Sequence, residues 1–256
     1  MKNSRVHFVG AGSGAPDLIT VRGQKYLQET DVIIYAGSLV NPELLDNAKE
    51  GCEIFNSAKM TLDEVLEVII KANKEGKDVV RLHTGDPCIY GAIREQMDRL
   101  DQEQIAYDYC PGVSAFCGAA SALDLEYTLP DISQSVIITR MAGRTPVPEK
   151  ESIESFAAHQ ATMVVFLSTG MLDELSERLI AGGYKADTPA AIVYKATWDD
   201  EKSFICTVGT LAQTARDNNI TKTALMIIGD VVSCSEYSLS KLYDPGFTTE
   251  FREKSI

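Results

Sequence analysis

The segment Val6-His7-Phe8-Val9 runs directly into GAGSGAPD, residues 10–17. An apolar run followed by three glycines in five positions predicts a strand over Val6–Val9 that turns tightly, since a glycine lets backbone come close to backbone or ligand. Gly10, Gly12 and Ala15 match the dinucleotide-binding spacing G-x-G-x-x-A. That fingerprint also requires an acidic residue about twenty positions on, to hold a ribose. The second predicted strand, Asp31–Tyr35, leads into Ala36-Gly37-Ser38 with no carboxylate, and Pro16-Asp17 interrupts the helix that should open at the loop. No Gly-Lys-Ser/Thr follows, so the triphosphate-binding loop is absent as well. A nicotinamide-dependent oxidoreductase is therefore the minor alternative. The loop is read as a close-approach turn whose client the residues do not name.

Outward from that turn, short strands alternate with amphipathic helices. Val21–Glu29 reads as a helix, and Thr61-Leu62-Asp63-Glu64 is a capping box. Behind the box, Leu62, Val65, Leu66, Ile69 and Ile70 fall on one helical face that Gly76 terminates. Val79–Leu82 is a strand, Gly91–Leu100 a helix and Ile105–Cys110 a strand. After Pro111-Gly112 comes a small-residue helix, Val113–Leu123. Strands follow at Ser135–Arg140, Thr162–Leu167, Ala190–Tyr194, Ser203–Thr207 and Ala224–Gly229. Helices over Ile153–His159, Leu172–Ala181 and Leu211–Asn218 separate most of these, but none separates Tyr194 from Thr207. The second sheet is accordingly expected to be mixed, with a hairpin. Two α/β domains are predicted, residues 1–110 and 111–236, with 237–256 as a tail.

A 45% apolar content supports sizeable cores, and no run approaches the ~18 apolar residues of a membrane span. The apolar stretch at the N-terminus is too short for a signal peptide. The six cysteines form no C-x-x-C and the three histidines do not cluster with them, so reduced thiols in a cytoplasmic protein without a metal are expected. A net charge of −13 disfavours nucleic acid, whose binding draws on counterion release by basic surfaces. An acidic small substrate would need a local basic pocket.

Four further segments follow predicted strands, where ligands of open α/β sheets sit. His83-Thr84-Gly85-Asp86-Pro87 combines a glycine, a carboxylate and a proline able to open a helix, or is simply a turn with Asp86 as N-cap. Cys110-Pro111-Gly112-Val113-Ser114-Ala115 is a second such turn, or a domain joint. Arg140 and Arg144 suit paired carboxylates unless they lie in a solvated loop, and Tyr194-Lys195-Ala196-Thr197-Trp198 carries the sole tryptophan, a core residue or a ligand wall.

Together, GAGSGAPDLIT, TGDPCIYG and CPGVSA resemble, in this order, the three signatures of the tetrapyrrole methylase family, over roughly residues 5–235. One such segment would be weak, and three in series are specific. HTGDPCIYGAIREQM, TRMAGRTPVPE and VYKATWDDE are similar to the branch that methylates C11 of precorrin-4 or cobalt-precorrin-4 in cobalamin biosynthesis, whereas the uroporphyrinogen branch typically has GGDPF. Ser13 and Ala15 depart from the commonest N-terminal pattern, where proline and aspartate are frequent. Action on another tetrapyrrole position, or on ribosomal RNA, is the nearest rival.

The resemblance implies a class III methyltransferase type fold of two α/β domains, S-adenosylmethionine in the interdomain cleft, and a homodimer. Carried over by position, the cofactor contacts would be Thr84, Gly85, Asp86, Ile89, Ser114, Ala115, Leu167, Ala196, Ala224 and Leu225. Asp86 or His83 would accept the proton that leaves the macrocycle. The loop at Gly12, Ser13 and Gly14 would face the tetrapyrrole, with Arg140, Arg144 and Lys195 holding its carboxylate rim.

Overall fold

The structure, a computed structural model, describes residues 4–255. Contacts divide the chain into two units: one runs to Ser121 and takes in Lys195–Glu201, and the other comprises Ala122–Tyr194 with Lys202 onward.

The first unit is built on β1 (Val6–Gly10), β2 (Val32–Tyr35), β3 (Glu53–Asn56), β4 (Val79–His83) and β5 (Tyr107–Cys110). All are parallel, in the order β3-β2-β4-β1-β5. Parallel sheets need both faces covered, so their inner strands read as continuous apolar runs; every residue of β4 is buried. Alternation then divides the core. Val6, Phe8, Val32, Ile34 and Val79 pack on helices α2 (Leu62–Lys74) and α3 (Arg94–Gln102). Val9, Ile33, Val80 and Leu82 face the other way, toward Leu27 of α1 (Val21–Glu29). Helix α1 has the predicted bounds, and Thr61 and Glu64 form the capping box at α2, buried through Val65, Leu66 and Ile69.

Beyond shorter bounds for β5 and for the small-residue helix, which spans Ala115–Ser121, two elements differ from the sequence reading. Strand β3 was not predicted, since it is an edge strand whose first two residues, Glu53 and Ile54, are exposed. Helix α3 starts at Arg94, not Gly91, and Pro87 does not open it: Tyr90 and Ala92 adopt left-handed backbone (φ 57° and 49°), which no helix accommodates.

The second unit holds β6 (Val136–Arg140), β7 (Thr162–Phe166), β8 (Pro189–Tyr194), β9 (Lys202–Thr207) and β10 (Ala224–Ile228), ordered β6-β7-β10-β8-β9. Only β6 and β7 run parallel, so the sheet is mixed, and β8 and β9 form the expected antiparallel pair. Helices α5 (Ile153–Ala157), α6 (Leu172–Ala181) and α7 (Leu211–Asp217) supply Leu175, Leu179 and Leu211 to its core, beside Met163, Ile192 and Met226. The earlier α4 (Ala115–Ser121) groups with the first unit. Beyond Tyr237 the described residues form a short helical turn at Lys241–Tyr243 and a Thr249–Arg252 bridge, with Leu239, Tyr243 and Phe251 exposed. Among the described residues no helix is long and apolar enough to cross a membrane.

Candidate functional site

Strand β1 lies between β4 and β5, so the loops leaving their carboxyl ends are neighbours: GAGSG after β1, TGDP after β4 and PGVSA after β5. Gly12 and Gly85 form an antiparallel bridge, with Gly85 N–H donating to the Gly12 carbonyl at 2.8 Å and Gly12 N–H to that of Gly85 at 3.2 Å. A Cβ on Gly10 would stand 2.6 Å from the Gly112 Cα and from the Gly85 carbonyl oxygen. The glycines thus admit one another's backbone, which leaves no room for a pyrophosphate at Gly10 and Gly12.

The rest of the loop is covered by the Lys195–Glu201 segment. Ser13 and Thr197 share a hydroxyl hydrogen bond of 3.0 Å, and Ala15 N–H donates to Thr197 Oγ1 at 3.1 Å. A Cβ on Gly14 would run into the Trp198 ring, and the Asn41 side chain donates to the Gly14 carbonyl at 3.1 Å. Gly12, Ser13 and Gly14 are all buried against protein, and Trp198 is half-buried as their cover. Lys195 pairs with Asp200 at 2.7 Å, its ammonium 5.1 Å from the Trp198 ring centroid, and Ala196 is buried beneath.

Asp86 ties the loops together. Its carboxylate accepts from the Tyr109 hydroxyl, from Cys88 N–H at 2.9 Å and from Gly112 N–H at 3.0 Å. Burial would raise its pKa, but those donors outweigh burial and hold it below the usual carboxylate range. Burial together with the bond to Asp86 pushes the Tyr109 phenol well up. A carboxylate so occupied fastens the TGDP turn to the PGVSA turn. Gly85, in left-handed backbone (φ 58°), sits against Ala115 N, with Ser114 buried beside it. Ile89 N–H donates to the Asp86 carbonyl at 3.2 Å.

A pocket of about 300 Å³ opens on the α2–α3 face of this unit, lined among others by Met60, Arg81, His83, Thr84, Ile89, Tyr90, Glu95 and Gln96. His83 is 4% exposed and its Nε2 has no hydrogen-bond partner among the described residues. Burial first, and the Arg81 charge second, push its pKa down to about 3. The imidazole is therefore neutral across physiological pH and a weak proton acceptor. Unfolded, it titrates near 6.5. Between these values the unfolded chain binds the proton and the folded chain does not, so stability falls with falling pH by at most about 1.4 kcal/mol per pH unit. Urea unfolding between pH 7 and 4 should show a shallower pH slope for His83→Gln than for wild type; equal slopes would refute the buried neutral imidazole.

In the second unit the candidates cluster at one end of strands β6, β7 and β10. Arg140 ends β6 opposite Phe166, Leu167 follows, and Ala224 opens the antiparallel β10 beside it, accepting from Thr169 Oγ1 at 3.2 Å. Ala224 and Leu225 are buried, but Leu167 is 65% exposed with φ 52°. A large apolar side chain held out in left-handed backbone is the kind of outlier that collects at functional sites. Arg140 donates to the carbonyls of Met141, Thr145 and Pro146 at 2.8–3.2 Å, so it braces its own loop. Arg144 is exposed on that loop and has no ion pair or hydrogen bond among the described residues.

Sequence reading does not single out Arg81, Tyr109 or Gln96. The one available signal was a cation inside the otherwise apolar run Val79–Leu82.

The family model described as tetrapyrrole (corrin/porphyrin) methylases matches residues 5–212. A Methanocaldococcus jannaschii protein named cobalt-precorrin-4 C(11)-methyltransferase is 51% identical over 251 residues, 98% of this chain and 97% of that one. A Priestia megaterium protein of the same name is 44% identical, over 97% of this chain and 98% of its own. The X-ray structure of a cobalt precorrin-4 methyltransferase, a cobalamin biosynthetic enzyme, superposes with a TM-score of 0.88 at 44% identity, covering 90% of this chain and 96% of that one.

Proposed function

The chain belongs to the tetrapyrrole (corrin/porphyrin) methylase family, and from that premise we propose that it methylates C11 of precorrin-4, in its cobalt form, in cobalamin biosynthesis. The observation that carries this reading is the near full-length likeness to relatives that bear that name. Cytoplasmic location and a homodimer belong to the same proposal; the first is supported by six free cysteines, the second by the family resemblance alone.

S-adenosylmethionine, when bound, would supply an electrophilic methyl on a sulfonium. The residues present fit such an amphiphilic group. Thr84 offers a half-buried hydroxyl with no partner among the described residues, and Ile89 and the outward-held Leu167 offer apolar surface. Gly85, Ser114, Ala115, Ala196, Ala224 and Leu225 complete the proposed set by backbone and small side chains. In-line methyl transfer depends on positioning, so rigid glycine-locked turns suit it. Within this proposal Asp86 holds those turns in place, and His83 shields the pocket floor as a neutral imidazole.

The test is incubation with isotopically labelled S-adenosylmethionine and precorrin-4, with and without cobalt, followed by mapping of the methyl position. Transfer to C11, faster with the cobalt form, is expected. Transfer to another carbon would overturn the position, and absence of transfer the whole reading. In the same assay Arg144→Ala is expected to raise KM for tetrapyrrole about tenfold, equivalent to ~1.4 kcal/mol, by removing one exposed rim contact. Its S-adenosylmethionine affinity should not change; weakened cofactor binding would contradict the assignment.

A further inference from the structure

Arg81 stands in the middle of β4, 6% exposed. Its Nε donates to Gln96 Oε1 and its Nη1 to the Ile34 carbonyl, both at 3.0 Å. Both acceptors are neutral, and among the described residues Arg81 makes no ion pair. A guanidinium this deep ordinarily has a carboxylate beside it, because an uncompensated buried charge is strongly destabilising. Burial brings its pKa down only to about 10, which leaves it charged. The charge is not sealed in, since Arg81 lines the 300 Å³ pocket together with Gln96 and His83, whose Nε2 has no hydrogen-bond partner among the described residues. The carboxylate on that lining, Glu95, is exposed, where water screens it.

We propose that Arg81 is the buried anchor for a ligand carboxylate, one acetate or propionate arm of the tetrapyrrole rim, and that neutral Gln96 keeps this anchor unpaired until the arm enters. The inference rests on the tetrapyrrole reading given above. Pocket size supports it: about 300 Å³ is at the lower limit of small-ligand pockets, enough for an arm and too small for a macrocycle. The other available carboxylate, on the methionine part of S-adenosylmethionine, carries an ammonium on the adjacent carbon. That zwitterion would bring a second cation toward an uncompensated one, whereas a rim arm brings net negative charge. Arg81 and the arm would form a charge-assisted pair of the kind guanidinium favours.

Gln96→Glu tests this by giving Arg81 an internal partner of the same shape. KM for cobalt-precorrin-4 should rise at least tenfold, with kcat within about twofold of wild type and the calorimetric S-adenosylmethionine Kd unchanged. Gln96→Met, which removes the same hydrogen bond without adding charge, should raise KM far less. Equal shifts in the two variants, or a wild-type KM in Gln96→Glu, would overturn the anchor. A weakened S-adenosylmethionine Kd with unchanged KM would assign the pocket to the cofactor's carboxylate and overturn the rim arm. Arg81→Gln, assayed identically, should reproduce the KM shift if Gln96→Glu fails to fold. A wild-type protein that methylates no tetrapyrrole, while still binding S-adenosylmethionine, would fail the functional reading and the anchor with it; the preceding outcomes fail the anchor alone.

Discussion

Asp86→Asn is expected to reduce methyl transfer by about a hundredfold or more and to destabilise the protein by roughly 2–4 kcal/mol. The carboxylate accepts from three donors, the Tyr109 hydroxyl, Cys88 N–H and Gly112 N–H. An amide of the same size has one accepting oxygen and two donors of its own. If its oxygen stays with Tyr109 and Cys88, its NH2 group points at the Gly112 N–H, and a buried donor loses its acceptor. Losing the charge weakens the remaining bonds as well, since hydrogen bonds to ionised groups are about twice as strong as neutral ones. The functional loss is expected beside the stability loss because the TGDP and PGVSA turns carry most of the proposed cofactor contacts of the first unit. Acid should expose the same dependence. The folded pKa of Asp86 lies below its ordinary value, so its contribution to stability is present above the unfolded pKa and is lost as pH falls through the folded one. Urea unfolding at pH 7 and a steady-state assay check both parts. Wild-type stability in Asp86→Asn would sink the tether.

Much of this arrangement is legible in the sequence because it depends on local pattern. The alternation of short apolar runs with 3.6-residue periodicity places nearly every element, and the three glycine-bearing turns announce themselves by following strands. What is not legible depends on contacts between distant residues. Nothing in YKATWDD says that Thr197 and Trp198 will cover Ser13 and Gly14, a pairing across 184 residues for the two hydroxyls. Composition likewise cannot say which cations are committed. Arg140 and Lys195 look free in sequence, yet one binds three carbonyls of its own loop and the other an aspartate. Arg81 looks like an interruption in a strand, and only the fold, which sets it against Gln96 with no ion pair among the described residues, reveals a cation without a bonded counter-charge.

Gly10→Ala is expected to destabilise the first unit by about 3 kcal/mol or more, by overpacking against groups that cannot rotate away. The new methyl would lie 2.6 Å from Gly112 Cα, Gly112 N and the Gly85 carbonyl oxygen, all of them backbone. Side chains relieve such crowding by changing rotamer, but here relief requires moving a strand end. The ladder resists this: Gly10 is in register with His83 and Val9 with Cys110, so β1 cannot shift without breaking pairing on both sides. Gly51→Ala is the matched control. Gly51 has φ 79° and nothing within 4 Å of its would-be Cβ, so it reports only the left-handed conformation of an alanine, on the order of 1 kcal/mol. A chain with two units need not unfold in one step, so the comparison is best made on the first transition in calorimetry. Gly10→Ala should lower that midpoint several times more than Gly51→Ala and should also weaken methyl transfer, because the Gly112 N–H it displaces is one of the donors on Asp86. If the two variants melt together, the glycines of the opening loop serve turn conformation alone, and the close approach of the three strand ends is not what the fold requires of them.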